Sequence, residues 1–114
     1  MNQERAILVY GNYFIDFIQS VSDNVRRKID YLLDMLKTQE RMNKKFVKFI
    51  KDGIYELRAE VEGNIYRVFF IFDNGNIVVL LNGFQKKTQK TPPSEIEKAI
   101  RIKKEYYADK QQSS

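Results

Sequence analysis

The stretch GIYELRAEVEGNIYRVFFIFDNGNIVVLLNGF, from Gly53 to Phe84, decides the fold. Apolar and polar side chains alternate from Ile54 to Val61, as in a strand with one face buried. Glu62-Gly63-Asn64 is a tight turn, and Ile65 to Phe72 is rich in β-branched and aromatic residues. Asp73-Asn74-Gly75-Asn76 carries an Asn-Gly pair, which suits the left-handed backbone of a short hairpin turn, before Ile77 to Asn82. Three consecutive antiparallel strands follow.

Working upstream, Phe46 to Ile50 is a further extended segment, reached through a polar loop from Gln39 to Lys45. Val25, Ile29, Leu32, Leu33 and Leu36 recur at helical spacing after the cap-type residues Ser22-Asp23-Asn24. Phe14, Phe17, Ile18 and Val21 form a shorter helical stripe, and Ala6 to Tyr10 is a short strand stopped by Gly11-Asn12. Downstream, Pro92-Pro93 ends the sheet, and Ser94 with Glu97 makes a capping box for a last helix with Ile96, Ala99, Ile100, Lys103 and Tyr107 on one side. The expected order is β-α-α-β-β-β-α. The fold class is α+β: an antiparallel sheet with an N-terminal helical hairpin on one face and a C-terminal helix. Residues 1–114 read as a single domain with a frayed tail from Lys110 to Ser114.

If Gly63-Asn64 and Asn74-Gly75 are two-residue turns, counting outward sets the register. Glu60 then lies opposite Arg67, and Arg67 opposite Asn82. Arg58, Glu60, Arg67, Asn82 and Phe84 share one face, whose polar end runs on into Lys86 and Lys87. The other face collects Leu57, Ala59, Val61, Val68, Phe70, Phe72, Val79 and Leu81 as the core. By alternation Tyr55 and Tyr66 also point there, and Tyr31, Tyr106 and Tyr107 read as core or rim packing on helices. Cations that hold phosphates beside an aromatic that can stack an unpaired base suit RNA. The same pattern also describes an ordinary cross-strand ion pair next to a solvated loop.

Composition narrows the chemistry. The 114 residues contain neither cysteine nor histidine, so disulfides, thiolate nucleophiles, cysteine-ligated metals and imidazole acid/base pairs are excluded. No metal site or cofactor is expected. Twenty Lys and Arg against fifteen Asp and Glu give a net charge of +5, which favours a polyanionic partner. Charges interrupt every apolar run, so no membrane span and no signal peptide is expected, and the expected location is cytoplasmic.

The segments Gly53-Ile54-Tyr55-Glu56-Leu57-Arg58, Tyr66-Arg67-Val68-Phe69-Phe70 and Leu80-Leu81-Asn82-Gly83-Phe84-Gln85-Lys86-Lys87-Thr88-Gln89-Lys90-Thr91-Pro92 resemble the HigB branch of the RelE/ParE toxin superfamily, which includes the phage-derived Gp49-like proteins. The resemblance runs over about residues 5–107 and is most specific in the Gly-Phe-x-Lys-Lys-Thr-x-Lys-Thr-Pro block. It implies a type II toxin that acts as a ribosome-dependent, metal-independent mRNA endoribonuclease, an mRNA interferase that arrests translation. The implied partners are a HigA-type helix-turn-helix antitoxin, the ribosome and mRNA, with operator DNA reached only through the antitoxin. Arg67 resembles the arginine that holds the scissile phosphate, and Arg58, Lys86 and Lys87 resemble its basic companions. Asn82 stands where many relatives have His.

The expected catalytic residues are Arg67, Lys86, Lys87 and Glu60, and the expected RNA contacts are Arg58, Asn82, Phe84 and Lys90. Without metal, the 2′-hydroxyl attacks the adjacent phosphorus, and the protein supplies alignment, charge stabilisation and two proton transfers. Glu60 and Glu56 are the carboxylates at hand for a base. Carboxylates titrate near 4 and Lys or Tyr near 10, so neither class is matched to neutral pH without tuning. Two rivals share these residues: a ParE-like inhibitor of DNA gyrase without nuclease activity, and a plain RNA-binding module.

Overall fold

The computed structural model describes residues 4–112. Five strands and three helices follow in the order β1 (Ala6–Val9), α1 (Tyr13–Gln19), α2 (Asp23–Thr38), β2 (Val47–Lys51), β3 (Ile54–Val61), β4 (Asn64–Asp73), β5 (Ile77–Lys86) and α3 (Pro93–Gln112). The sheet order is β1-β5-β4-β3-β2. Four strands are antiparallel neighbours, but β1 lies parallel to β5, with Ala6 opposite Ile77. The sheet is therefore mixed rather than purely antiparallel. The connection between β1 and β5 runs through α1, α2 and β2 to β4, long enough for β1 to enter beside a partner running the same way.

Both faces of the sheet are covered. One carries Phe14 and Phe17 of α1 and Val25, Ile29, Leu32 and Leu36 of α2 over Leu57, Val68, Phe70, Val78 and Leu80. The Ser22 side chain accepts the Val25 N–H and caps α2, as its sequence anticipates. The opposite face packs Ala99, Ile102 and Tyr106 of α3 on Ile54, Phe69, Ile71, Val79, Leu81 and Phe84. Val79 and Leu81 thus sit on the face opposite to the one expected.

The displacement has a definite cause. Asp73 pairs with Ile77, so the connection is the three-residue loop Asn74-Gly75-Asn76 and not a two-residue turn. One extra residue inverts every side chain on the first half of β5. A β-bulge then inverts the alternation again: β4 advances two residues from Val68 to Phe70 while β5 spends three, from Gly83 back to Leu80. The β3–β4 turn is also displaced. Val61 pairs with Asn64 across Glu62-Gly63, whose φ values of 53° and 80° are both left-handed. A type I′ turn needs that backbone twice, with glycine favoured second, and Glu62-Gly63 has the X-Gly order of Asp52-Gly53 and Asn74-Gly75.

The α3 helix begins at Pro93, so Ser94 lies inside the first turn and no capping box forms; the Glu95 N–H bonds instead to the Pro92 carbonyl at 3.0 Å. Nor does α3 fray at Lys110. Lys110 Nζ donates to Asp73 Oδ2 at 2.7 Å, and the Tyr106 hydroxyl donates to the same oxygen at 2.6 Å. The last two positions of the expected tail, 113 and 114, lie outside the described residues. Tyr31 is exposed, whereas Tyr66 and Tyr106 are buried.

This anchor gives a first expected result. Asp73→Ala leaves the Tyr106 hydroxyl buried without an acceptor, costing about 1–3 kcal/mol in urea denaturation. The lysine hydrogen bond, then the Tyr106 hydroxyl, hold the Asp73 carboxyl below its ordinary value of 3.8. Its stabilisation is complete above that value and is lost as pH falls through the lower folded one. Burial, then Asp73, push the Tyr106 hydroxyl from 10 up to about 12, so that contribution is complete below pH 10 and fades as pH rises towards 12. In Asp73→Ala the Asp73 part of the acid limb disappears and the alkaline limb shrinks. An unchanged acid limb would refute the account.

Candidate functional site

The polar end of the α3-side face is built by alternation on three strands. Glu56, Arg58 and Glu60 project from β3, Ile65 and Arg67 from β4, and Phe84 and Lys86 from β5, with Lys48 of β2 opposite Glu56. Arg58 stands directly across from Arg67, an arrangement that repels unless an anion intervenes. Glu56 is that anion. It is 2% exposed, and its Oε1 lies 3.4 Å from Arg67 Nε and 3.5 Å from Arg58 Nε. The Thr91 hydroxyl, in the segment leading into α3, approaches Glu56 Oε2 at 3.5 Å.

Arg67 is itself only 5% exposed, on the face that α3 and its leader cover and the sequence leaves open. Its Nη1 donates to the Tyr66 carbonyl at 3.1 Å. The Nε atoms of both arginines are buried and lack a hydrogen-bond partner among the described residues, so charge is balanced there without directed bonds. Burying such a cluster costs desolvation, and apolar replacements of similar size are often as stable. Two of its members, Arg58 and Arg67, also line a cleft.

Electrostatics carry the same signature. Burial, reinforced by Arg58, lowers the Arg67 pKa from its usual value, while Glu56 opposes the shift. Burial, then the Arg67 charge, lower the Lys86 pKa from the ordinary 10.5. Lys48, Arg58, Arg67 and Lys86 therefore surround one buried carboxylate, leaving excess positive charge.

A cleft of about 430 Å³ opens beside this cluster, where β3 runs on beyond the end of β2. Arg58, Glu60, Ile65 and Arg67 form one wall; Lys28 of α2, with Lys45 and Phe46 from the loop before β2, form the other. Glu60 lies opposite Ile65 and not Arg67, a correction that follows from the Glu62-Gly63 turn. It is exposed in the cleft, and no salt bridge to it forms among the described residues.

The remaining expected residues divide. Phe84 does share the face of Arg67 and takes the place opposite it that was expected for Asn82, but it is 8% exposed and packs on Phe69 at 5.4 Å. Asn82 is 1% exposed and lies at the bulge rather than opposite Arg67. Its Nδ2 donates to the Glu95 carbonyl at 3.2 Å and to Glu95 Oε1 at 3.1 Å, tying β5 to α3. Lys87 and Lys90 are exposed in the bend after β5 and take no part in the buried cluster. Sequence counting missed Lys48 and the cleft residues Lys28, Lys45 and Phe46, and it did not single out Glu56 as the ion-pair partner.

A mixed five-stranded sheet with three helices and a cationic cleft at the end of its central hairpin defines a small basic α+β protein. The chain belongs to the phage derived protein Gp49-like family (DUF891), which it matches over residues 16–104, a family associated with RelE-type, toxin-like proteins. An uncharacterized protein of Haemophilus influenzae is 49% identical over 43 residues, 38% of this chain and 42% of that protein. No helix among the described residues is long and apolar enough to cross a membrane.

Proposed function

We propose that this protein is the toxin of a type II toxin–antitoxin pair, a HigB-like endoribonuclease that cleaves mRNA on the ribosome without a metal ion. The observation that carries the proposal is the pair of opposed arginines, Arg58 and Arg67, held by buried Glu56 at the edge of a cationic cleft. Glu56 engages their Nε edges, and among the described residues no hydrogen bond occupies Arg67 Nη2 or the terminal nitrogens of Arg58. Those nitrogens are the donors for a phosphate at the moment charge grows on its oxygens.

In the proposed reaction the substrate's 2′-hydroxyl attacks phosphorus, the 5′-oxygen leaves, and a cyclic phosphate forms. Glu60, exposed in the cleft and without a salt bridge among the described residues, takes the 2′-hydroxyl proton. Lys86, whose pKa burial and Arg67 depress, gives a proton to the departing oxygen. The ribosome aligns the RNA, and a HigA-type helix-turn-helix antitoxin with acidic side chains neutralises the basic surface and carries the pair to operator DNA.

The decisive experiment is induced expression followed by primer extension on a defined transcript, with and without ribosomes. Cleavage that requires ribosomes supports the proposal, with protein synthesis falling before DNA synthesis; the reverse order favours gyrase inhibition. Glu60→Gln is expected to slow single-turnover cleavage about a hundredfold. The wild-type rate is expected to fall as pH rises through the folded Lys86 pKa, below the ordinary lysine value, because the acid is then lost. Lys86→Arg, which holds its proton, abolishes that limb together with most of the rate. A wild-type rate that stays flat up to the ordinary lysine value removes Lys86 from the proton-transfer role.

A further inference from the structure

The cleft has a second wall that phosphate binding does not use. Phe46 stands on it, fixed beside the arginines because its carbonyl accepts the Arg58 N–H at 2.7 Å and its own N–H bonds to the Asn43 carbonyl at 2.9 Å. Lys28 and Lys45 each place an ammonium group over its ring, at 5.9 and 5.7 Å from the centroid, and neither has a carboxylate partner among the described residues. Ala59 and Ile65 add apolar surface between the walls. Phe84, the aromatic first expected to stack a base, lines a separate cavity with Tyr13 and Phe17, and Phe46 is the aromatic lining this cleft.

We propose that the cleft seats one unpaired RNA nucleotide, its phosphate on Arg58 and Arg67 and its base on Phe46, with Lys28 and Lys45 taking the flanking phosphates. The inference rests on the ribonuclease proposal above and names the part of the substrate that the cleft selects. A paired base cannot reach the ring while stacked in a duplex, so the site requires single-stranded RNA. Stacking on a phenylalanine tolerates every base, so the seat fixes strandedness and position but reads no sequence. Glu60, in the same cleft, accepts a hydrogen bond from the 2′-hydroxyl and sets RNA apart from DNA.

The test uses the whole protein and three dye-labelled decamers: uridine RNA, the same length of abasic ribose-phosphate, and the deoxyuridine strand. Wild-type protein should bind the uridine decamer more tightly than the abasic one by roughly five- to a hundredfold, the range for one base on one aromatic. Phe46→Leu, which keeps an apolar side chain at the site, should remove that advantage and leave abasic binding and the salt dependence unchanged. Lys28→Gln should instead flatten the salt dependence equally for the two RNA strands. Equal loss on both strands from Phe46→Leu, or no loss, overturns the base seat. Deoxyuridine binding as tight as uridine overturns the RNA assignment. If wild-type protein binds none of the three, the seat is overturned, while the ribonuclease proposal stands or falls on ribosome-dependent primer extension; tight uridine binding unaffected by Phe46→Leu likewise removes the seat alone. The base-against-abasic comparison in wild-type protein needs no substitution, so it stands even where a variant folds poorly.

Discussion

Arg67→Lys is expected to lower ribosome-dependent cleavage by at least about a hundredfold and to abolish growth arrest, with the fold retained. Lysine keeps a positive charge beside Glu56 but presents a single ammonium group, which cannot engage Glu56 and the Tyr66 carbonyl while offering a planar edge to phosphate. Arg67→Ala is the less informative variant. Removing one partner from a buried ion pair typically costs about 3–5 kcal/mol, and here Arg58 offsets part of that loss. Primer extension reads the chemistry and near-UV circular dichroism reads the fold. A folded Arg67→Lys protein with wild-type single-turnover cleavage would dispose of the proposed site.

Gly83→Ala is expected to be the most damaging single-methyl addition in the sheet. A Cβ at Gly83 would lie 2.4 Å from Phe17 Cδ2 and 2.6 Å from Cγ, well inside van der Waals contact. Phe17 is 7% exposed within the α1–α2 cluster, so its ring has little room to withdraw. Overpacking of this kind costs about 1–3 kcal/mol, and more for a β-branched residue. Gly83 also pairs with Val68 at the bulge, next to the Phe84–Arg67 pair, so a shift of the strand reaches the arginines as well. Chemical denaturation gives the size of the loss. The double variant with Phe17→Leu should recover a substantial part of it, and a double variant no more stable than Gly83→Ala alone would place the strain elsewhere.

Local pattern made much of this architecture legible. The strands from Ile54 to Lys86, the Ser22 cap and the stripe of α2 follow from alternation, turn glycines and helical spacing. Face assignment was less secure because it rests on counting through turns. Arg67 and Phe84 do share a face, but through two compensating displacements: the extra residue in the Asn74 loop, and the bulge at Leu81 and Asn82. The Glu56 pairing was hidden by the β3–β4 turn, which the X-Gly order at Glu62-Gly63 would have located. Alternation says nothing about which helix covers which face, so the burial of Arg67, Asn82 and Phe84 under α3 could not be read from it. The cleft wall of Lys28, Lys45 and Phe46 comes from segments distant in sequence from Arg67 and is brought there only by packing.

The parallel pairing of β1 with β5 also orders events during synthesis. Ala6 waits for Ile77, and Val9 for Leu80, so the edge of the sheet cannot close until Ile77 to Leu80 have left the exit tunnel. The hairpins from β2 to β5 join residues close in sequence and form early, whereas the β1 contact must close a loop of some seventy residues. Lys86 is translated later still, and α3, which buries Arg67 and supplies Thr91 to Glu56, comes last. A nascent chain still attached to its ribosome therefore carries the arginines on an unfinished sheet without their cover. The arginine cluster of the proposed enzyme is thus completed only once α3, made after all five strands, has folded over the sheet.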